Sequence, residues 1–195
     1  MRSDIHVIDN VLSNFERIKL LWFLFLQKRT MESMEPDFDS KRWGRHNPPW
    51  LKRMHIALTP LAERLSNKKL KPSYVYYSAY TRESYLPLHI DRVQCDVTLD
   101  YCILQPIDWP LYVADREISS AISERIRHAA NKQVELDLAK NEASNRFTQI
   151  DLRPNQLVMF EGTQCWHYRD PIPTGAFADL AFFHYVPVEF AESLD

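Results

Sequence analysis

The stretch Val97 to Leu104 limits the fold most. Val97, Leu99, Tyr101 and Ile103 alternate with Thr98, Asp100 and Cys102, giving one apolar face and one partly polar face. A period of two over eight residues belongs to a strand. Other short apolar pieces bounded by turn residues stand at 74–77, 85–91, 111–113, 157–160, 165–168 and 177–186, and several short strands so arranged predict a sandwich or barrel. Residues 5–8 suit one more strand. Ser13-Asn14-Phe15-Glu16 reads as a capping box ahead of a run through Leu26 that is apolar on every face, which predicts a core helix buried against a sheet. Thr59 to Leu70 predicts a second, amphipathic helix. Residues 29–53, polar and interrupted by proline, read as a long ordered loop anchored by Trp43 and Trp50. Between strands, Ile118, Ile122 and Ile126 recur at helical spacing, so 115–146 predicts a helical insertion that serves as lid, oligomer contact or decoration.

Composition narrows the function classes. The chain has 195 residues, 45% of them apolar, enough for one packed domain over 1–195: an N-terminal strand and helices (1–72), a β core (73–114 and 147–187) and the insertion (115–146). A formal charge of −2 gives no electrostatic case for nucleic acid or an anionic membrane as partner. Only three glycines, at 44, 162 and 175, leave nothing with which to build a glycine-rich phosphate cradle. Cys95, Cys102 and Cys165 are odd in number and form no C-x-x-C, which points to a reducing compartment. The most apolar run, 20–26, is too short to cross a bilayer, and no signal peptide is evident at the start. A cytoplasmic protein is expected, with the oligomeric state open and a homodimer among the options.

Chemistry concentrates in Leu88-His89-Ile90-Asp91. On a strand, residues i and i+2 share a face, so both side chains of a His-x-Asp can approach one cation. Seven histidines and fourteen aspartates yield about 0.5 such pairs by chance, so the motif needs a partner elsewhere. A strand, a turn and a distal histidine on a neighbouring strand would supply one: Leu157-Val158-Met159-Phe160 leads through a turn and Cys165-Trp166 to His167. Two imidazoles and one carboxylate suit mononuclear non-haem Fe(II) with positions left open.

From Tyr74 to Pro187 the order of elements resembles the Fe(II)/2-oxoglutarate-dependent oxygenases, nearest their prolyl-4-hydroxylase-like branch: an aromatic strand ending at Tyr80, His89-x-Asp91, the strand 97–104, Trp109-Pro110-Leu111-Tyr112, and Arg153 to Phe160 before His167. Ile5 to Ser13 is similar to the opening strand and helix of that branch. The resemblance implies an α+β, mainly β fold: a double-stranded β-helix (jelly-roll) core, N-terminal helices packed on one sheet, and the insertion. It implies Fe(II) on His89, Asp91 and His167, 2-oxoglutarate and O2 as co-substrates, Tyr80 near the co-substrate, and hydroxylation of a C–H in a small molecule, amino acid or peptide residue. Related halogenases lack the carboxylate that Asp91 provides here.

The sequence departs from the family at one point. About ten residues past the second histidine, where a Lys or Arg holds the distal carboxylate of 2-oxoglutarate, stands Phe177. Two replacements suggest themselves. Arg169, two residues past His167, would share the metal-facing side as an anchor, against a plainer surface or structural ion pair, for which Asp170 is one partner on offer. His184 would donate from the next strand, against a plainer role as a core histidine bonded to a backbone carbonyl. Arg82, Arg92 and Arg116 are further candidates for the pocket mouth. Two other readings stay open: an iron oxygenase that does not use 2-oxoglutarate, and a non-catalytic jelly-roll binding protein.

Overall fold

The computed structural model describes residues 5–29 and 34–194. Among these, strands form two antiparallel sheets. The larger runs in the order β1 (His6–Ile8), β9 (Leu157–Phe160), β6 (Val97–Leu104), β11 (Ala178–Pro187), β4 (Leu70–Tyr80), β3 (Arg42–His46), β2 (Glu35–Asp37). The smaller runs β5 (Leu86–His89), β10 (His167–Arg169), β7 (Leu111–Val113), β8 (Thr148–Ile150). From β4 to β11 the chain changes sheet at every step except between β7 and β8, which is the winding of a double-stranded β-helix.

Three apolar layers hold this arrangement. Helices α1 (Asn14–Arg29) and α2 (Pro49–Ser66) cover one face of the larger sheet, with Leu20, Leu24, Leu51 and Leu58 against Val75, Tyr77 and Leu99. Leu86, Cys102, Leu111, Val158, Phe160 and Leu180 fill the space between the sheets. Helices α3 (Arg116–His128) and α4 (Lys132–Ala143), the insertion, seat Ile118, Ile122 and Ala139 on Leu88, Trp166 and Tyr168 of the smaller sheet's strands and their approach. Each side of both sheets is thereby covered, as apolar strand faces require.

The capping box is formed: the Glu16 N–H donates to Ser13 Oγ (3.3 Å) and the Ser13 N–H to Glu16 Oε2 (2.9 Å). The helix it opens lies against the larger sheet, as expected, and buries one stripe. Leu20 and Leu24 are buried, whereas Phe15, Ile18 and Trp22 are each more than 60% exposed. A helix lying on a sheet can bury only one stripe, whatever the rest of its surface carries.

The expected loop over 29–53 also needs correction. It contains the hairpin β2–β3, which pairs with β4 from Trp43↔Ala79 to His46↔Tyr76, and the start of α2. These strands are too short for a period to show, and charges at Lys52 and Arg53 mask the first turns of the helix. The stripe Leu51, His55, Leu58, Ala62 runs on past Pro60, so α2 is longer than the expected helix over 59–70 and ends at Ser66, where Asn67 turns left-handed. His55 belongs to that core stripe. Its Nε2–H donates to the His184 carbonyl (2.9 Å), and burial pulls its pKa down to about 4, which keeps the ring neutral.

Candidate metal centre

The pairing of β5 with β10 sets His89 directly opposite His167. Their rings lie 4.2 Å apart. Two residues beyond His89, the Asp91 N–H donates to the Gly162 carbonyl (2.9 Å), which turns the carboxylate back toward both rings. Asp91 Oδ1 is 3.5 Å from His89 Nε2 and 3.7 Å from His167 Nε2, and one ligand atom from each of the three side chains lies within 4.8 Å of the others. The residues expected to meet around one cation do meet.

Their orientation is held from behind. His89 Nδ1–H donates to the Pro87 carbonyl (2.8 Å) and His167 Nδ1–H to the Cys165 carbonyl (2.9 Å), so each Nε2 keeps its lone pair for the shared space. Thr98 Oγ1–H donates to Asp91 Oδ2 (2.8 Å), leaving Oδ1 for the cation, and Thr98 in turn accepts from His184 Nδ1–H (3.1 Å). Burial, reinforced by the His89 ring, lowers His167 to about 4, so this imidazole is neutral at neutral pH. Burial pushes Asp91 up, but the neighbouring rings of His167, His89 and His184 outweigh it and hold the carboxyl well below its usual range. A carboxylate and two inward-facing imidazole nitrogens fit a mononuclear Fe(II) ion with open positions on the cavity side.

Gly162 is part of this support. A Cβ there would lie 2.1 Å from Asp91 Oδ2, 2.6 Å from Thr98 Oγ1 and 2.8 Å from the Cys95 carbonyl. Gly162→Ala must therefore displace the Asp91–Thr98 pair. The expected result is a loss of Fe(II) affinity of about 10- to 100-fold, the scale of losing an outer partner of a ligand. Calorimetric titration of the metal checks this, and an unaltered affinity would take Asp91 out of the ligand set.

No protein-family model matches the sequence, and no curated protein matches it. Solved structures do match. HygX from Streptomyces hygroscopicus, with nickel and 2-oxoglutarate bound, superposes with a TM-score of 0.68 at 15% identity, over 98% of this chain and 85% of that one. SnoK, described as a non-haem α-ketoglutarate-dependent carbocyclase from nogalamycin biosynthesis, gives 0.71 at 12%, over 95% and 80%. EctD from S. alaskensis, in its apo form, gives 0.69 at 13%, over 96% and 74%. The chain has their fold. At these identities the likeness concerns architecture, and the chemistry must be argued from the side chains.

The three candidate ligands open onto a cavity of about 560 Å³, walled by Leu86, Leu111, Phe160 and Phe182 and by several polar groups. Arg169 is not among its lining residues, contrary to the expectation of an anchor beside His167. The Arg169 side chain is drawn to other partners: Nη2 donates to Asp100 Oδ2 (2.7 Å) and Nη1 to the Trp109 carbonyl (2.6 Å), while Nε is buried without a partner. The plainer reading, a structural ion pair, is the one formed, with Asp100 rather than Asp170, which takes Lys140 instead (2.6 Å). His184 does line the cavity, but its ring supports Thr98 rather than bonding a carbonyl. Tyr80 is fully buried, edge-on to Trp109, with its hydroxyl accepting from Arg42. Of the other arginines, Arg92 lines the cavity and donates to the Tyr74 hydroxyl (3.0 Å), while Arg116 pairs with Glu161. Arg82 is exposed in the turn before β5 and is not a lining residue.

Sequence reasoning missed Arg42, Thr98, Asp100 and Gly162. Thr98 and Asp100 were legible as the polar side of β6. Arg42 gave no signal, because it sits in the segment read as a loop.

Proposed function

We propose that the chain is a non-haem Fe(II)- and 2-oxoglutarate-dependent dioxygenase that hydroxylates a C–H of a small molecule, built as one oxygenase-like domain. The observation that carries this is the meeting of His89, Asp91 and His167 at ligand distances within a double-stranded β-helix, at the wall of a cavity. The order of elements from Ile5 to His167 supports a place near the prolyl-4-hydroxylase-like branch. HygX, which shares the fold, has also been solved with hygromycin B bound, and a cavity of about 560 Å³ is of the size that takes a small ligand. Among the described residues no helix is long and apolar enough to cross a membrane.

The chain's own residues have three tasks. His89, Asp91 and His167 would hold the cation at the wall of the cavity. Thr98, backed by His184, fixes which Asp91 oxygen points inward. Leu86, Leu111, Phe160 and Phe182 exclude water and position the substrate carbon beside the metal. When bound, ferrous ion supplies O2 activation coupled to oxidative decarboxylation of 2-oxoglutarate, chemistry that no side chain here can provide.

The test is succinate release. Protein loaded with Fe(II) and given 2-oxoglutarate and O2 is expected to form succinate in step with O2 consumption. Tight Fe(II) binding without succinate would overturn the reading in favour of an iron oxygenase that draws electrons from its substrate, or of a binding protein.

A further inference from the structure

A co-substrate with a second carboxylate needs a cation inside the cavity, because a buried anion without a partner is strongly disfavoured. Arg169 is closed off by Asp100 and Trp109. Arg92 stands exposed at the cavity mouth, where solvent screens its charge. Arg42 is different. It lines the same cavity as the three candidate ligands, and its side chain is only 14% exposed. Nε donates to Asp37 Oδ2 (2.8 Å) and Nη1 to the Tyr80 hydroxyl, and the guanidinium lies 5.1 to 5.9 Å from the ring centres of Tyr80, Tyr76 and Phe182. Gly44, two residues on, allows this packing, since a Cβ there would overlap the Tyr76 ring.

We infer that Arg42, carried by the β2–β3 hairpin outside the β-helix, selects the co-substrate by holding the second carboxylate of a 2-oxo dicarboxylic acid, in place of any basic residue on β11. This rests on the proposed function and names the group that reading lacks. Asp37 and Tyr80 engage Nε and one terminal nitrogen, so they aim the guanidinium while its other terminal nitrogen remains for a ligand. Asp100 Oδ1, buried and without a partner, lines the same cavity. Burial pushes the Asp100 carboxyl up, against the pull of Arg169 on its other oxygen. The role of Arg169 is then structural.

The experiment compares two five-carbon acids, 2-oxoglutarate and 2-oxopentanoate, which lacks the second carboxylate. Each is titrated anaerobically into the Fe(II)-loaded full chain while the visible charge-transfer band of the chelate is followed. The unaltered protein is expected to prefer 2-oxoglutarate by roughly 10- to 100-fold, the worth of a charge-assisted hydrogen bond. Arg42→Gln should bring that ratio close to one while leaving 2-oxopentanoate binding in place, which also shows that the variant is folded. Arg42→Lys should fall between, keeping the charge and losing the fork. An unchanged preference in Arg42→Gln overturns the inference alone, as does an equal loss of both acids in both variants, because a selective anchor acts on one acid only. Absence of the band with both acids in the unaltered, iron-loaded protein removes the proposed function, and this inference with it.

Discussion

Replacing His167 with Ala is expected to abolish tight Fe(II) binding, with a loss of more than about 100-fold. Outer partners of metal ligands are each worth about 10- to 100-fold, and a ligand itself should exceed them. His167 is 4% exposed, its Nδ1 is committed to the Cys165 carbonyl, and its Nε2 is 3.7 Å from Asp91 Oδ1, so its loss removes one of three converging donors. His184, which also lines the cavity, has its Nδ1 engaged with Thr98. Equilibrium dialysis against Fe(II) under anaerobic conditions reads the effect, with chemical denaturation of the metal-free variant as the control for folding. Retained tight binding would refute the ligand assignment.

The largest effect on stability is expected at the other buried arginine. Arg169→Met should destabilise the fold by about 3–5 kcal/mol, because it leaves Asp100, only 1% exposed, without its cation. The deficit should depend on pH in a definite sense. Burial already pushes the Asp100 carboxyl up more than Arg169 pulls it down, and without Arg169 the rise is larger. A carboxyl whose folded pKa is raised binds its proton more tightly folded than unfolded, so stability falls as pH rises above the ordinary carboxylate range. The variant should therefore be closest to the parent near pH 4 and furthest from it near pH 8. Urea unfolding at both values measures this. The double variant with Asp100→Leu should recover most of the loss, since an apolar pair in place of a buried ion pair is often neutral. An Arg169→Met variant as stable as the parent would show that the pair is not what closes the barrel interior.

How much was legible follows from the range of each signal. The alternation in β6, the short apolar pieces of β5, β7, β9 and β11, and the helical spacing within 115–146 are local patterns, and each appears in the structure near its expected position. The capping box at Ser13 is local as well. Exposure of Phe15, Ile18 and Trp22 was not legible, because an all-round apolar helix carries no mark of which stripe the sheet will take. The Arg169 expectation met a long-range obstacle. Arg169 and His167 do face the same inter-sheet space, with Tyr168 pointing the other way toward the insertion, but Asp100 from the opposite sheet takes the guanidinium.

The sequence by itself determined the strand-rich architecture, the two helical regions and the local pair His89-x-Asp91, because periodicity and spacing act over a few residues and depend only on backbone geometry; His167 joined that pair through the order of elements that the family resemblance supplied. The tertiary structure alone decided which charges share a space: that Asp100 closes off Arg169, that Gly162 makes room for Asp91 and Thr98, and that Arg42 reaches the cavity from a hairpin about fifty residues before the first candidate ligand. Ion pairs and cavity walls form between segments remote along the chain, where no short-range pattern can record them.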